Sequence, residues 1–196
     1  MANNEIVTSY FVIFAMPTFL LTGLMAFFIL TGSAGFASAP QIETHSVSLT
    51  GYNAVPSQTD DDPSVTASGM PSDPDVVAAR SRDLADVLPY GTVIAIEPDQ
   101  DSGPYCGLDV VGNTIGYRVI TDNMNARITN TVDILFDVDD TVTIGTKSVN
   151  AARVLGICEN VTIRVVGQIE LTKPSQFPKT QAELAAMVGS SGLALK

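Results

Sequence analysis

GYRVITDNMNARITNTVDILFD, residues 116–137, decides how the rest of the chain is read. Two apolar, β-branched runs, residues 117–121 and 132–136, are each joined by one aspartate, Asp122 or Asp133, that a buried strand does not need. Between them, residues 123–131 are rich in Asn and Thr, whose side chains hydrogen-bond nearby backbone and hold a tight connection. The pattern predicts a strand, a connection and a second strand, with the two carboxylates meeting at one end of the unit. Two carboxylates held close in a partly apolar site repel, and one of them then keeps its proton near neutral pH. Such a pair suits general acid and base work. The same residues also admit a purely structural role, with Asp122 capping the turn and Asp133 accepting backbone hydrogen bonds.

The neighbours of the two aspartates differ. Asp133 sits between Val132 and Ile134, where partial desolvation raises a carboxyl pKa and favours a proton to donate. Asp122 ends its strand beside Asn123 and Asn125, a wetter place that favours the ionised form. The acid is therefore assigned to Asp133 and the supporting charge to Asp122.

An aspartate, a connection of this length and a second aspartate in a hydrophobic strand resemble the three-aspartate (3D) domain of bacterial cell-wall proteins, found in lytic transglycosylases and muralytic factors. Residues 49–69, LTGYNAVPSQTDDDPSVTASG, look like that family's opening strand and Thr-Ala-Ser-Gly element, and residues 78–93, AARSRDLADVLPYGTV, look like its Asp-then-Pro-x-Gly-Thr element. The resemblance covers residues 46–171. It implies a mainly β fold, a six-stranded double-psi β-barrel with one or two short helices, and a groove that gathers the aspartates. It further implies nonhydrolytic cleavage of peptidoglycan glycan strands, with Asp133 as the single acid and base and Asp122 tuning it and holding the substrate. Asp83 is the candidate third aspartate, and Tyr52, Thr66, Asn123, Asn125 and Arg127 are candidate substrate contacts. No cofactor and no metal is implied. Where muralytic members carry Asp-Thr-Gly-Gly-Ala-Ile-Lys-Gly, this chain has DNMNARIT at residues 122–129, so both aspartates keep their spacing while two glycines and a lysine are replaced. A noncatalytic glycan-binding module and a structural envelope protein are the alternatives.

Composition narrows the partners. A net charge of −11 and a pI near 4.2 over 196 residues argue against nonspecific binding to nucleic acid or anionic lipid, which want a basic patch. One histidine and two cysteines make a four-ligand zinc site implausible, and the run Asp60-Asp61-Asp62 lacks the spacing of a calcium loop. Cys106 and Cys158 are expected to pair as a disulfide, two buried thiols being the alternative.

Residues 6–30 are almost wholly apolar and long enough to cross a bilayer as a helix. Residues 1–39 are therefore expected to form a membrane anchor or a signal segment, with Ala37-Ser38-Ala39 resembling a cleavage site, and residues 40–45 a linker that ends in the exposed His45. The barrel domain is expected to span residues 46–172 and to lie outside the cytoplasmic membrane, with residues 173–196 adding a short helix and a tail. Alternation and apolar runs predict strands at residues 46–52, 92–96, 106–111 and 161–171, besides the central two, while residues 75–88 admit a helix with Pro74 at its first position, where the resemblance instead implies a short strand at residues 76–79. Helical character is expected over residues 148–155, ended by Gly156, and after the capping-box pair Thr180 and Glu183.

Overall fold

The computed structural model describes residues 42–59, 62–97 and 102–190. The described residues all belong to the unit Ala39–Lys196. The expected anchor at residues 6–30 and the cleavage motif at Ala37-Ser38-Ala39 lie outside them, as do Asp60 and Asp61 of the acidic run and the tail from residue 191. Among the described residues no helix is long and apolar enough to cross a membrane.

The architecture is mainly β. Strands β1 (Thr44–Asn53), β2 (Val77–Arg80), β3 (Thr92–Glu97), β4 (Arg118–Asn123), β5 (Thr131–Phe136) and β8 (Cys158–Gln168) close into a barrel in the order β1-β5-β2-β4-β3-β8. A separate hairpin is formed by β6 (Thr141–Ile144) and β7 (Lys147–Asn150). The ring is mixed: β1–β5 and β2–β4 are parallel, and the other barrel pairs are antiparallel. Exchanging β1 with β4, β2 with β5 and β3 with β8 turns each pairing into one of the same sense. The connectivity thus has a two-fold pattern, and the closed six-stranded ring is compatible with a double-psi β-barrel.

Strand alternation supplies two buried faces. One set, including Leu49, Ala78, Ile94, Ile120, Ile134 and Ile163, packs with the helices α1 (Leu108–Ile115) and α2 (Ala151–Leu155). The other set, including Tyr52, Val77, Ala79, Val93, Val119 and Leu135, packs with Leu184 and Val188 of helix α3 (Gln181–Ser190). That helix begins on the expected box: Glu183 N donates to Thr180 Oγ1 at 3.2 Å, and Glu183 Oε2 accepts from Lys179 N at 2.7 Å.

Four local expectations need correction. Residues 106–111 form no strand; Leu108, Val111 and Ile115 are buried at helical spacing, which places them on α1. The helix expected over residues 148–155 is only α2, because residues 147–150 pair with β6 across a turn at Gly145, whose φ is 63°. Asn150 caps α2 by accepting from Ala152 N at 3.0 Å, and Gly156 at φ 64° ends it. The last strand runs Cys158–Gln168, starting earlier and stopping sooner than residues 161–171. His45 belongs to β1 and hydrogen-bonds Glu43 at 2.9 Å, so the linker ends before it.

A disulfide joins Cys106, just before α1, to Cys158 at the start of β8. Closing a loop with a separation of 52 residues contributes about 4 kcal/mol in the chain-entropy relation.

Candidate functional site

The site is a row across four strands. Ala79 on β2 pairs with Asp133 on β5 on one side and with Asp122 on β4 on the other, and Asp133 pairs in turn with Thr50 on β1. Residues paired this way present side chains to the same face. The Cα atoms of Asp122 and Asp133 are therefore two strand spacings apart, about 10 Å, with Ala79 between them in the row. Above this row lies a cavity of about 550 Å³ whose walls include Tyr52, Asp122, Asp133, Asn123, Asn125 and Arg82. That volume falls within the range of small-molecule sites.

The two carboxylates share this cavity, but not by direct pairing of the strands that carry them. β2 lies between β4 and β5, so the connection of residues 124–130 crosses the end of β2. Its first residue is fastened there, Met124 N donating to Arg80 O at 2.9 Å.

A β-bulge completes the row. The β2–β4 register runs Ala78↔Ile120 and then Ala79↔Asp122, leaving Thr121 as the extra residue. Regular alternation would put Asp122 on the face of Ile120, which packs with Ala78 and Ile134. The bulge turns it to the face of Ala79 and Asp133. Thr121 itself is fully buried, and its Oγ1 has no hydrogen-bond partner.

Burial pushes the Asp133 carboxyl up to about 6, the Thr50 hydrogen bond opposes the rise, and the charge of Asp122 adds to it. Thr50 Oγ1 donates to Asp133 Oδ1 at 2.7 Å. Asp122 is held as an acceptor: Oδ1 takes Asn123 N at 2.8 Å and Ala67 N at 2.9 Å, and Oδ2 takes the Tyr52 hydroxyl at 3.3 Å. Burial, then the charges of Asp122 and Asp133, raise the Tyr52 hydroxyl well above its ordinary value, so it stays a donor. Among the described residues, the two carboxyls thus share a cavity in unlike surroundings, one desolvated with a single donor and one tied by three.

Of the residues named from sequence, Tyr52, Asn123 and Asn125 join the aspartates on the cavity wall, while Thr66, Asp83 and Arg127 are not on it. Thr66 is buried and donates to Met70 O at 3.0 Å, which shapes the turn that aims Ala67 N at Asp122. Asp83 accepts from Asn130 N at 2.9 Å, holding a residue at φ 47° just before β5. Arg127 is exposed in the connection, its backbone N donating to Asn125 Oδ1 at 3.1 Å.

Sequence reasoning missed Thr50, Ala79, Ala67 and Arg82. The alternation of β1 puts Thr50 on the face of Tyr52, a signal that was legible; nothing local marks the other three. Among the described residues of the wall, Arg82 is the one cation. Among the described residues, no group of three or more His, Cys, Asp or Glu side chains is placed to hold a metal ion. No protein-family model and no curated protein matches the chain, and the chemistry of the cavity stands on its own residues.

Proposed function

We propose that the domain binds and cleaves peptidoglycan glycan strands without water, as a lytic transglycosylase. The observation that carries this reading is the pairing of Asp133, raised to about 6, with a hydrogen-bonded Asp122 across Ala79 in one open cavity. Protonated Asp133 gives its proton to the glycosidic oxygen as the bond to C1 breaks. The resulting carboxylate then takes the proton of the muramoyl 6-hydroxyl as that oxygen closes on C1, forming a 1,6-anhydro sugar and restoring the acid. Asp122 faces the positive charge that develops at C1. The resemblance to the three-aspartate family and a barrel compatible with its fold support the same assignment.

Residues 122–129 favour a second reading, a noncatalytic glycan-binding module. Asn123, Met124 and Asn125 stand on the wall where the family carries a threonine and two glycines, so backbone approach to a sugar is replaced by side-chain contact.

The domain is proposed to act outside the cytoplasmic membrane, held through residues 6–30, and the Cys106–Cys158 disulfide supports an oxidising compartment. Protease added to intact spheroplasts then removes the domain, and full protection overturns the placement. For the activity, wild type, Asp133→Asn and Asp122→Asn are incubated with insoluble peptidoglycan, and bound protein and released 1,6-anhydromuropeptides are both measured. Asp133→Asn lowers release by about 100-fold or more, whereas Asp122→Asn leaves a measurable remainder. Binding without release by wild type transfers the assignment to the binding module.

A further inference from the structure

We infer that Tyr52 is a positioning residue of the cavity: its side chain reaches from β1 to Asp122 on β4 and holds that carboxyl in place, which keeps the supporting charge apart from the acid Asp133. This rests on the glycan-cleaving reading above, and it gives Tyr52 a role other than contact with substrate.

Tyr52 pairs with Leu135, two residues along from the Thr50–Asp133 pair, so it shares the face of Thr50 and Asp133. In the closed ring, β5 and β2 lie between β1 and β4. The Tyr52 hydroxyl nevertheless donates to Asp122 Oδ2 at 3.3 Å. Its side chain therefore spans the two intervening strands, on the face where Asp133 and Ala79 stand. Tyr52, Ala79 and Leu135 belong to one buried cluster, and Tyr52 is 8% exposed, which leaves its ring little surface to offer a sugar. Burial first, then the charges of Asp122 and Asp133, keep the proton on this hydroxyl, with the charge of Arg118 opposing them.

Asp122 is held from two sides. The backbone N–H groups of Asn123 and Ala67 both go to Oδ1, so among the described residues Tyr52 is the group that holds Oδ2. Asp133 has a side-chain donor of its own in Thr50. Once the Tyr52 hydroxyl is removed, Oδ2 loses that tie and can turn across Ala79 toward Asp133. Two carboxyls that meet share one proton and titrate as a pair. A shared proton serves neither task, because the glycosidic oxygen needs an acid of its own and the cation developing at C1 needs a full negative charge beside it.

The test is Tyr52→Phe, which keeps the ring and its packing and removes only the hydroxyl. In carbon-detected NMR the Asp133 titration midpoint should rise by about one pH unit, because the Asp122 charge is no longer held off. Adding Asp122→Asn to Tyr52→Phe should abolish that rise. On solubilised peptidoglycan strands, kcat should fall about tenfold with KM unchanged, the worth of one interaction made in the transition state. An unchanged or lower midpoint overturns the inference, as does a rise that persists in the double variant. A raised KM with kcat intact also overturns it and makes Tyr52 a substrate contact. If wild type neither binds nor cleaves the strands, the glycan reading falls, and the midpoint, read on the free protein, still decides whether Tyr52 holds Asp122 away from Asp133.

Discussion

Two strand pairs related by the two-fold pattern of the barrel, β1–β5 and β4–β2, build the cavity floor in different ways. In β1–β5 the register is regular, and Asp133 stands opposite Thr50. In β4–β2 the register slips at Thr121, and Asp122 stands opposite Ala79. The pattern makes Thr50 the counterpart of Asp122, and Ala79 the counterpart of Asp133. One pair offers a carboxyl near the middle of the row with a hydroxyl outside it; the other offers a methyl in the middle with a carboxyl outside. Asymmetric chemistry on a symmetric frame thus comes from one bulge and two exchanges of side chain. The inner carboxyl is desolvated and the outer one is reached by the donors of a flanking turn, which separates the acid from its supporting charge.

The largest break in this comparison comes from Asp133→Asn. The folded-state pKa of Asp133 is raised from 3.8 to about 6, so the native state holds this proton more tightly than the unfolded chain does. The stability this group contributes is full below about pH 4 and is lost as pH rises through about 6. The substitution removes the burial of a charge at pH 7 and keeps an oxygen for Thr50. Urea unfolding should then show the variant more stable than wild type by on the order of 3 kcal/mol at pH 7, with little difference at pH 4. A variant less stable at pH 7 than wild type contradicts the desolvated carboxyl.

Thr50→Val sharpens the comparison by removing the hydroxyl that donates to Asp133. The hydrogen bond favours the ionised carboxyl, so its loss should raise the Asp133 titration midpoint by about one unit. Glycan cleavage, where measured, should extend to higher pH on its acid-dependent limb. An unchanged midpoint would show that Thr50 does not set the proton affinity.

The smallest effect is expected at the bulge. Thr121 buries a hydroxyl without a partner, and valine fills nearly the same shape. Thr121→Val should stabilise the fold by about 1 kcal/mol in a thermal melt, and the Asp133 titration should stay in place because the extra residue, not the hydroxyl, turns Asp122. A marked loss of stability would mean that the hydroxyl anchors the bulge.

The same comparison shows what a sequence can carry. The strand that carries Asp133 was legible from its apolar, β-branched run, but the desolvation of Asp133 does not come from Val132 and Ile134, whose side chains belong to the opposite face. The face of Asp122 was not legible, since a bulge depends on the partner strand and alternation alone assigns the wrong side. The insertion of β2 between β4 and β5 is nonlocal in the same way: its pairs join residues around 78 to residues around 120 and 134. Helix α1 was misread because Leu108, Val110 and Val111 form a short apolar run that fits strand and helix alike, and only the burial of Ile115 with Leu108 and Val111 decides it. Thr66 and Asp83 were singled out for contact with substrate, and the structure uses them one step back, in the turns that present Ala67 N and Asn130.

The central claim is that two carboxyls on one face share a cavity and that Asp133 carries the proton there. Carbon-detected NMR titration of the Asp133 carboxyl, in wild type and in Asp122→Asn, tests it most directly. The structure predicts a midpoint near 6 in wild type and a lower one once the Asp122 charge is removed. A midpoint in the ordinary carboxylate range, unmoved by Asp122→Asn, would contradict both the shared cavity and the assignment of the acid.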